Sequence, residues 1–308
     1  SLLNSQDFLV EENRIRDFNG GNGLRVSGGR GEIKYNRVYN SQSFENALHC
    51  IMLDQEAEIL AQNNLAYNNS TGAAFWLGAN ARVYNNTLYN CHQGIVVDHT
   101  TGNIKNNIIA GNTTGMDFHQ YPVENDYNLY HDNSLQVKDK DTDRTLEQWQ
   151  SSAGGAFDGH SMEADPVFIN VDNGNFGLTK GSAAIDNGVN LDSAHRYTLD
   201  TASVWPDRVV TINQDELGKQ WDIGAYGFVI SYTLDTEATN GTITPTGGTY
   251  VEGTILSLEA TPDEGYLFDG WNGDTANTEN PLTLIMERDT SISAGFAETV
   301  ELGLSGIN

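Results

Sequence analysis

The sequence predicts an all-β protein that consists of a right-handed parallel β-helix followed by a small all-β module. Asparagines recur about once every 22 residues, and apolar residues alternate with polar ones in the segments between them. Glycine is also abundant, at 32 of 308 residues, as expected for a chain with many tight turns. A fixed period of this length is typical of repeat architectures. We therefore interpret each repeat as one coil of a solenoid.

The recurring asparagines are the first element of the prediction. They are separated by steps of 23, 28, 22, 21 and 21 residues. The positions are Asn13, Asn36, Asn64, Asn86, Asn107 and Asn128. Coils of parallel strands stack about 4.8 Å apart, a spacing at which amide side chains can hydrogen-bond along the stack. We predict that these asparagines form one column within coils that span residues 1–134. Because the chain opens inside a coil, we expect further coils upstream.

Five aligned segments predict the strands that follow the same face of every coil. GLRVS, CIMLD, AFWLG, GIVVD and GMDFH begin at residues 23, 50, 74, 94 and 115. Period-two alternation directs two large apolar residues of each segment into the core. The inward pairs are Leu24/Val26, Ile51/Leu53, Phe75/Leu77, Ile95/Val97 and Met116/Phe118. The intervening residues point outward, and the two columns that they form across the coils are where a long ligand would lie.

Residues 135–230 break the period and predict a cap with the last irregular coils, because a solenoid end otherwise exposes its core. TLEQWQSSAG, at 145–154, predicts a short helix. The motifs ADPVF, GNFGL, GSAAIDNG and WDIGAYGF follow, at 164–168, 174–178, 181–188 and 221–228. They resemble the C-terminal ending of secreted bacterial β-helix proteins of the pectin lyase-like superfamily. The resemblance implies secretion and carbohydrate-active relatives, but no single reaction.

Residues 231–298 predict a separate module, in which alternating strands such as TILSLEA are divided by Gly, Pro and Asn turns. The motif GYLFDGW, at 265–271, and the closing SISAGFAE are similar to the divergent internalin-type B-repeat. This resemblance implies a spacer or surface-presentation unit of a bacterial secreted or cell-surface protein. We expect Trp271 to lie in the module core, and residues 299–308 to be a linker or tail.

The charge narrows the range of partners. The formal net charge is −26, which opposes binding to nucleic acid and to anionic membranes. No stretch of 18 apolar residues is present, so we expect no membrane insertion. We expect a monomer whose partner is a polysaccharide.

The outward columns contain the first candidates for chemistry. Asp98 and Asp117 lie on neighbouring coils with His119 beside them. Paired carboxylates at about 5–9.5 Å perform acid–base or nucleophilic glycoside chemistry. Oxygen ligands also suit calcium, for which Asp54 and Asp98 are the candidates, and this would be the one cofactor that we expect. The third interpretation is a solvated acidic face.

Basic residues are concentrated in the first coils. Arg25, Arg30, Lys34 and Arg37 lie on one or two coils. Guanidinium groups bind carboxylates bidentately, and a uronate lyase needs both a cation for the sugar carboxylate and a base. Arg25 is our candidate catalytic base, and the other three are candidates for substrate binding. The alternative is charge pairing between coils.

Aromatic residues supply the last candidates. Tyr39, Tyr67 and Tyr89 occupy one outward column after the asparagines, where they can stack on sugar rings or on one another. Trp76 points outward in the middle of the first column and is the better candidate for a sugar platform.

The sequence therefore favours an extracellular polysaccharide-binding protein that also cleaves its glycan, as a lyase or a glycoside hydrolase acting on a polyuronate or a related polymer. The alternative is a non-catalytic cell-surface adhesin or structural solenoid. No Ser/His/Asp triad motif, phosphate loop, zinc spacing or EF-hand loop is present in the sequence. The enzyme interpretation requires acids or bases that converge in a groove. The adhesin interpretation predicts only shallow polar columns and well-paired charges.

Overall fold

A computed structural model describes residues 7–19, 21–41, 48–99, 101–152, 157–217 and 220–299, and the backbone of residues 2–3; at 55–57 the backbone alone is described. All but one of the residues of the predicted tail, 299–308, therefore lie outside the described part. The chain forms two compact units, residues 1–228 and 229–308.

The first unit is built on a parallel β-helix, in which 17 of the unit's described strands form one continuous hydrogen-bonded network. The strands before the caps are Leu2–Leu3, Phe8–Glu11, Arg14–Arg16, Leu24–Ser27, Arg30–Lys34, Arg37–Tyr39, Ile51–Gln62, Leu65–Tyr84, Thr87–Val97, Asn103–Lys105, Ile108–Ala110, Thr114–Phe118, Glu124–Asp126, Leu129–His131 and Leu135–Asp139. Three of these strands are long because they continue around a corner of the coil.

Three faces run along the helix, and each is a stack of parallel strand segments. Sheet A contains residues 24–27, 51–54, 75–78, 95–97, 114–118 and 135–139. Sheet B contains residues 8–11, 30–34, 58–62, 80–84, 103–105 and 124–126. Sheet C contains residues 14–16, 37–39, 65–67, 87–89, 108–110, 129–131 and Met162–Glu163.

The core confirms the predicted alternation on sheet A. Leu24, Ile51, Phe75, Ile95 and Met116 are paired in register from coil to coil. Four of these five side chains are completely buried, and Leu24 in the second coil is 8% exposed. One apolar column of this kind removes water from the full length of the stack, which is the main source of stability in a solenoid.

The predicted asparagine column is confirmed as a hydrogen-bonded ladder. Each side-chain oxygen accepts from the backbone N–H and the Nδ2 group of the asparagine one coil earlier, for example from Asn64 to Asn86 at 2.9 and 3.0 Å. The same geometry runs without a break from Asn13 to Asn128. Ser161 Oγ ends the ladder by accepting from the Asn128 N–H at 2.8 Å.

Each asparagine also ties its own corner together. Asn86 Nδ2 donates to Ala61 O and to Tyr84 O, both at 3.0 Å. The residue before a ladder position has a positive φ, as Asn63 and Asn85 do at 54° and 52°. Asparagine tolerates this left-handed conformation better than most residues, so the corner can turn within two residues.

A second ladder, which was not predicted from the sequence, runs along another corner of the coils. Asn112 N–H and Nδ2 donate to Asn133 Oδ1 at 3.0 and 2.9 Å, and the Cys91 N–H donates to Asn112 Oδ1 at 2.9 Å. Asn69 is paired with Cys91 in register, so it continues the same column. The 21-residue spacing between Asn112 and Asn133 could have indicated this ladder. The position one coil earlier is Cys91 rather than an asparagine, which interrupts the repeat in the sequence.

The predicted short helix is present as Leu146–Ser152, and it caps the C-terminal end of the coils. Trp149 stacks on Phe118 of the preceding coil, with ring centroids 4.8 Å apart, and is 1% exposed. Thr142–Arg144 leads into this helix as an antiparallel partner of the last sheet A strand. The helix thus covers apolar surface that the last coil would expose.

A buried carboxylate joins this cap to the last coil. Asp158 is completely buried and accepts from Trp149 Nε1 at 2.8 Å, from Ser161 Oγ at 2.5 Å, from Tyr130 OH at 3.3 Å and from Asn125 Nδ2. Burial raises the pKa of Asp158 from 3.8 to about 6. The cap therefore depends on a group that changes charge in the physiological range.

Residues 165–217 and 220–228 lie against the outside of the helix, along the corner between sheets B and C. Asn85 Nδ2 donates to Asp222 O at 3.0 Å, and Asn106 Nδ2 donates to Val189 O at 2.8 Å. Trp205 Nε1 donates to Tyr35 O at 2.8 Å. The short strands here are Phe168–Asn170 with Asn175–Leu178, and Tyr197–Leu199 with Thr211–Asn213. Met162–Glu163 is thus the last described strand that pairs with the stacked coils.

The second unit contains two small sheets. A four-stranded sheet has the order Gly248–Val251, Ser231–Ala238, Thr290–Glu298, Tyr266–Gly273. A three-stranded antiparallel sheet has the order Gly241–Thr244, Ile255–Pro262, Leu282–Ile285. Trp271 is 2% exposed and donates from Nε1 to Glu279 O at 2.8 Å, which confirms its predicted place in the core.

Asn86→Leu should lower the free energy of unfolding of the first unit by about 1–3 kcal/mol or more, because buried backbone groups lose their hydrogen-bond partners. Denaturant unfolding followed by circular dichroism measures the change. Asn80→Leu is the matched control, since Asn80 is exposed on sheet B, and its effect should stay within about 0.5 kcal/mol. Equal effects of the two substitutions would show that the ladder contributes no special stability.

Asp158→Asn should change how stability depends on pH. A carboxyl with a higher pKa in the folded chain contributes stability that is present below the unfolded pKa and is lost as pH rises through the folded pKa. Between pH 5 and pH 7 the stability of the wild type relative to the variant should therefore fall by about 1 kcal/mol. The pKa of Asp222 is also about 6 through burial, but Asp222 is present in both proteins and cancels. A difference that is independent of pH would contradict the argument.

Candidate functional site

The outward face of sheet A consists of two columns, and the strand register confirms the predicted order. Column one is Arg25, Met52, Trp76, Val96, Asp117 and Lys138. In column two, Ser27, Asp54 and Gly78 are paired in register. Asp98 and His119 follow the next two strands, and their N–H groups donate to Leu77 O and Val97 O at 3.0 and 2.9 Å. We call these two columns the sheet A face.

Three of the predicted catalytic residues meet on this face. His119 Nδ1 lies 3.1 Å from Asp98 Oδ1, and His119 Nε2 lies 3.5 Å from Asp117 Oδ1. The imidazole therefore bridges two carboxylates that belong to neighbouring coils. The side chains of Asp98 and His119 are 40% and 45% exposed, whereas that of Asp117 is 3% exposed. One carboxylate faces solvent and the other is enclosed.

Asp117 has one oxygen with a hydrogen bond and one without. Gln93 Nε2 donates to Asp117 Oδ2 at 2.8 Å. Asp117 Oδ1 is buried and has no hydrogen-bond partner among the described residues, although His119 Nε2 lies 3.5 Å from it as an ion-pair contact. A buried acceptor without a donor costs free energy, so this oxygen is a place where a ligand donor is favoured. Sequence reasoning missed Gln93, which belongs to neither outward column.

Trp76 is partly exposed in the middle of the face, between two histidine rings. The ring centroid of His49 lies 4.8 Å from that of Trp76, and that of His119 lies 6.1 Å away in an edge-on arrangement. His49 Nδ1 accepts from the Ala73 N–H at 3.1 Å, and burial lowers the pKa of His49 to about 4. His49 is therefore a neutral support for the indole. The sequence offered no signal for it, since it precedes the alternating segment.

Arg25 lies on the same face but is paired with Asp54. Its Nη2 and Nε lie 2.6 and 3.1 Å from Asp54 Oδ2. The guanidinium is occupied as a hydrogen-bond donor in this ion pair, which opposes the predicted role of Arg25 as a catalytic base. Asp54 Oδ1, like the unpaired oxygen of Asp117, is buried without a hydrogen-bond partner among the described residues.

The calcium prediction finds little support in the positions of its ligands. Asp54 and Asp98 belong to one column but are separated by the coil that contains Gly78, so their backbones lie about 10 Å apart. The charge of Asp54 is compensated by Arg25, and Asp98 contacts His119. No cluster of three or more His, Cys, Asp or Glu suited to a metal ion occurs in the part of the chain that the structure describes.

The predicted basic cluster is divided among three faces, because one coil turns through all three sheets. Arg25 belongs to sheet A, Arg30 and Lys34 to sheet B, and Arg37 to sheet C. Arg30 Nη2 pairs with Glu58 at 2.5 Å, and Lys34 Nζ with Glu32 at 2.6 Å. The Arg30 contact is a pairing between coils, as the alternative interpretation predicted, whereas the Lys34 contact lies within one strand.

Arg30 lines a groove of about 540 Å³ on sheet B. The other charged residues of its lining are Asp7, Glu32, Glu58 and Arg82. Three acids therefore face two bases, so the groove does not form the positive site that a polyuronate requires.

The tyrosine row of sheet C is covered by residues 165–228. Tyr39 and Tyr67 stack with centroids 4.7 Å apart and are 7% and 3% exposed. Phe176 packs against Tyr67 and Tyr89 at 4.9 and 5.3 Å. Arg37 Nε donates to Tyr67 OH at 2.7 Å. This burial opposes the predicted sugar-binding roles of the row and of Arg37, because no open ring face remains on Tyr39 or Tyr67.

Among the described residues, no helix has the length and apolar character needed to span a membrane. Comparison with known proteins adds two family matches. The model of the divergent InlB B-repeat domain matches residues 232–300, and such domains are typical of bacterial surface proteins. No curated protein and no solved structure matches the chain. The model of the right handed beta helix region matches residues 1–159, which is more than half of the 308 residues. The chain therefore belongs to the right-handed β-helix family.

Proposed function

We propose that this protein is an extracellular polysaccharide-binding protein that holds its glycan across the coils on the sheet A face. The observation that carries the proposal is the partly exposed Trp76, flanked by His49 and His119 in the middle of that face. An indole offers a sugar ring an apolar platform, and neighbouring polar groups orient the hydroxyls.

The other faces support this choice indirectly. Sheet C is covered along its tyrosine row, and the groove on sheet B is lined by charges of both signs. The stacked coils repeat at about 4.8 Å, so a face built from columns suits an extended polymer better than a compact small molecule. The matched B-repeat domain supports a place at the bacterial surface or outside the cell, where polysaccharides are met.

Cleavage is the second candidate, and the environment of Asp117 favours it. Asp98, which is solvent-exposed, and Asp117, which is enclosed, are the two carboxyl groups that a glycoside hydrolase would need. The close contact of both with His119 weighs against it, because a sugar bond must fit between acid and base. Of the two reactions, hydrolysis is better supported than lyase chemistry, since Arg25 is bound to Asp54.

Trp76→Ala should weaken binding to the preferred glycan by about tenfold, or ~1.4 kcal/mol, because the sugar loses its aromatic platform. Titration calorimetry with hexasaccharides of glucan, xylan, mannan, chitin, alginate and pectin measures the affinity. Tyr197→Ala is the matched control, since Tyr197 is 46% exposed on the outer layer away from sheet A. Loss of affinity in the control variant, or none in Trp76→Ala, would place the ligand elsewhere.

The same samples separate binding from cleavage. New reducing ends that disappear in Asp117→Asn would establish a hydrolase, and absorbance of unsaturated uronate would establish a lyase. Binding without either product would leave a non-catalytic adhesin.

A further inference from the structure

The charges around Trp76 define the chemical class of the glycan, an inference that rests on the proposed function. The sheet A face carries three carboxylates, Asp54, Asp98 and Asp117, and two formal cations in its columns, Arg25 and Lys138. A third cation, Lys140, continues column two in the same coil as Lys138. Arg25 is occupied by Asp54 at 2.6 Å. Lys138 lies one coil beyond Asp117, on the side away from Trp76. Among the residues that the structure describes, no unpaired cation of this face therefore lies next to the indole.

The rings that flank Trp76 do not supply positive charge of their own. His49 is neutral at physiological pH, because burial lowers its pKa to about 4. His119 contacts both Asp98 and Asp117, so even a protonated imidazole is offset by two carboxylates. A carboxylate on a sugar bound at Trp76 would meet this net negative charge across a partly enclosed surface, where repulsion between like charges is stronger than in bulk water.

The unpaired oxygens supply a second, independent observation. Asp117 Oδ1 is buried, has no hydrogen-bond partner among the described residues and is approached only by His119 Nε2 within that part of the chain, at 3.5 Å, on a side chain that is 3% exposed and belongs to the outward column. Asp54 Oδ1, in column two and one coil before Trp76, is likewise buried without a hydrogen-bond partner among the described residues. An ionised carboxylate can accept hydrogen bonds but cannot donate them. A ligand that satisfies these two oxygens must therefore donate hydrogen bonds.

We propose that the sheet A face is specific for a neutral polysaccharide, and that Asp117 determines this specificity by accepting a hydrogen bond from a sugar hydroxyl. A neutral sugar supplies hydroxyl donors and no carboxylate. The expectation of a polyuronate, which the basic residues of the first coils suggested, is replaced by this class because those residues are distributed over three faces and are paired.

The test uses pairs of hexasaccharides that differ only in oxidation at C6, such as β-1,4-linked mannose against β-1,4-linked mannuronate, and cellohexaose against its glucuronate counterpart. Titration calorimetry at about pH 7 and low salt gives each affinity. The wild type should bind the neutral member of the preferred pair at least about tenfold more tightly than the uronate member.

Asp117→Asn should move the two affinities in opposite directions. The neutral hexasaccharide should bind about tenfold more weakly, because the amide loses a charged acceptor. The uronate should bind more tightly, because one negative charge is removed. Asp207→Asn is the matched control: Asp207 is exposed in the segment 165–228, and the substitution changes net charge equally. It should alter neither affinity by more than about twofold.

Thermal melting first establishes that Asp117→Asn is folded. If it is not, Asp98→Asn replaces it, since Asp98 is 40% exposed, and the uronate affinity should again rise. Tighter binding of the uronate member by the wild type would overturn the neutral class while leaving polysaccharide binding intact. Failure of the wild type to bind any hexasaccharide would contradict the proposed function itself.

Discussion

The hydrogen bond from one ladder asparagine to the next is the interaction on which the rest of the structure depends. Each amide oxygen accepts two bonds from the preceding coil, and each Nδ2 also donates to backbone carbonyls at the corner, as Asn86 does to Ala61 and Tyr84. A slip of one residue would turn every apolar side chain outward, and the buried ladder opposes such a slip at each coil. Register, core and surface columns are therefore fixed together, and the ladder needs Ser161 to end it.

The same register decides which surface charges are available to a ligand. It aligns Arg25 with the strand of Asp54 and Arg30 with Glu58, so these cations are paired within the protein. In column one, the residue before Asp117 is the apolar Val96, which offers Asp117 no charge partner. Asp117 Oδ1 has no hydrogen bond among the described residues. The properties of the face thus follow from differences between coils rather than from the repeat. The regular coils fix where each side chain lies, and the residues that differ between coils determine what the face can bind.

The sequence was sufficient for the features that depend on local spacing. The ladder from Asn13 to Asn128, the inward residues of sheet A and the helix at Leu146–Ser152 are all confirmed, because each follows from a period or an adjacent signal. The path of residues 165–228 had no such signal, since its contacts join positions more than 80 residues apart, such as Asn106 with Val189. For that reason the burial of the tyrosine row, and the loss of its sugar-binding face, was unpredictable. The support of Trp76 by His49 was missed because His49 precedes the alternating segment.

Native-state hydrogen exchange tests most directly whether the ladder is the interaction that unites the coils. The backbone amides of Asn36, Asn64, Asn86 and Asn107 each donate to the next asparagine. The account predicts that these amides are among the slowest to exchange and that they open together, with one free energy close to that of global unfolding of the first unit. Exchange at a different free energy for each coil, or protection no greater than at the exposed strands of sheet B, would contradict it.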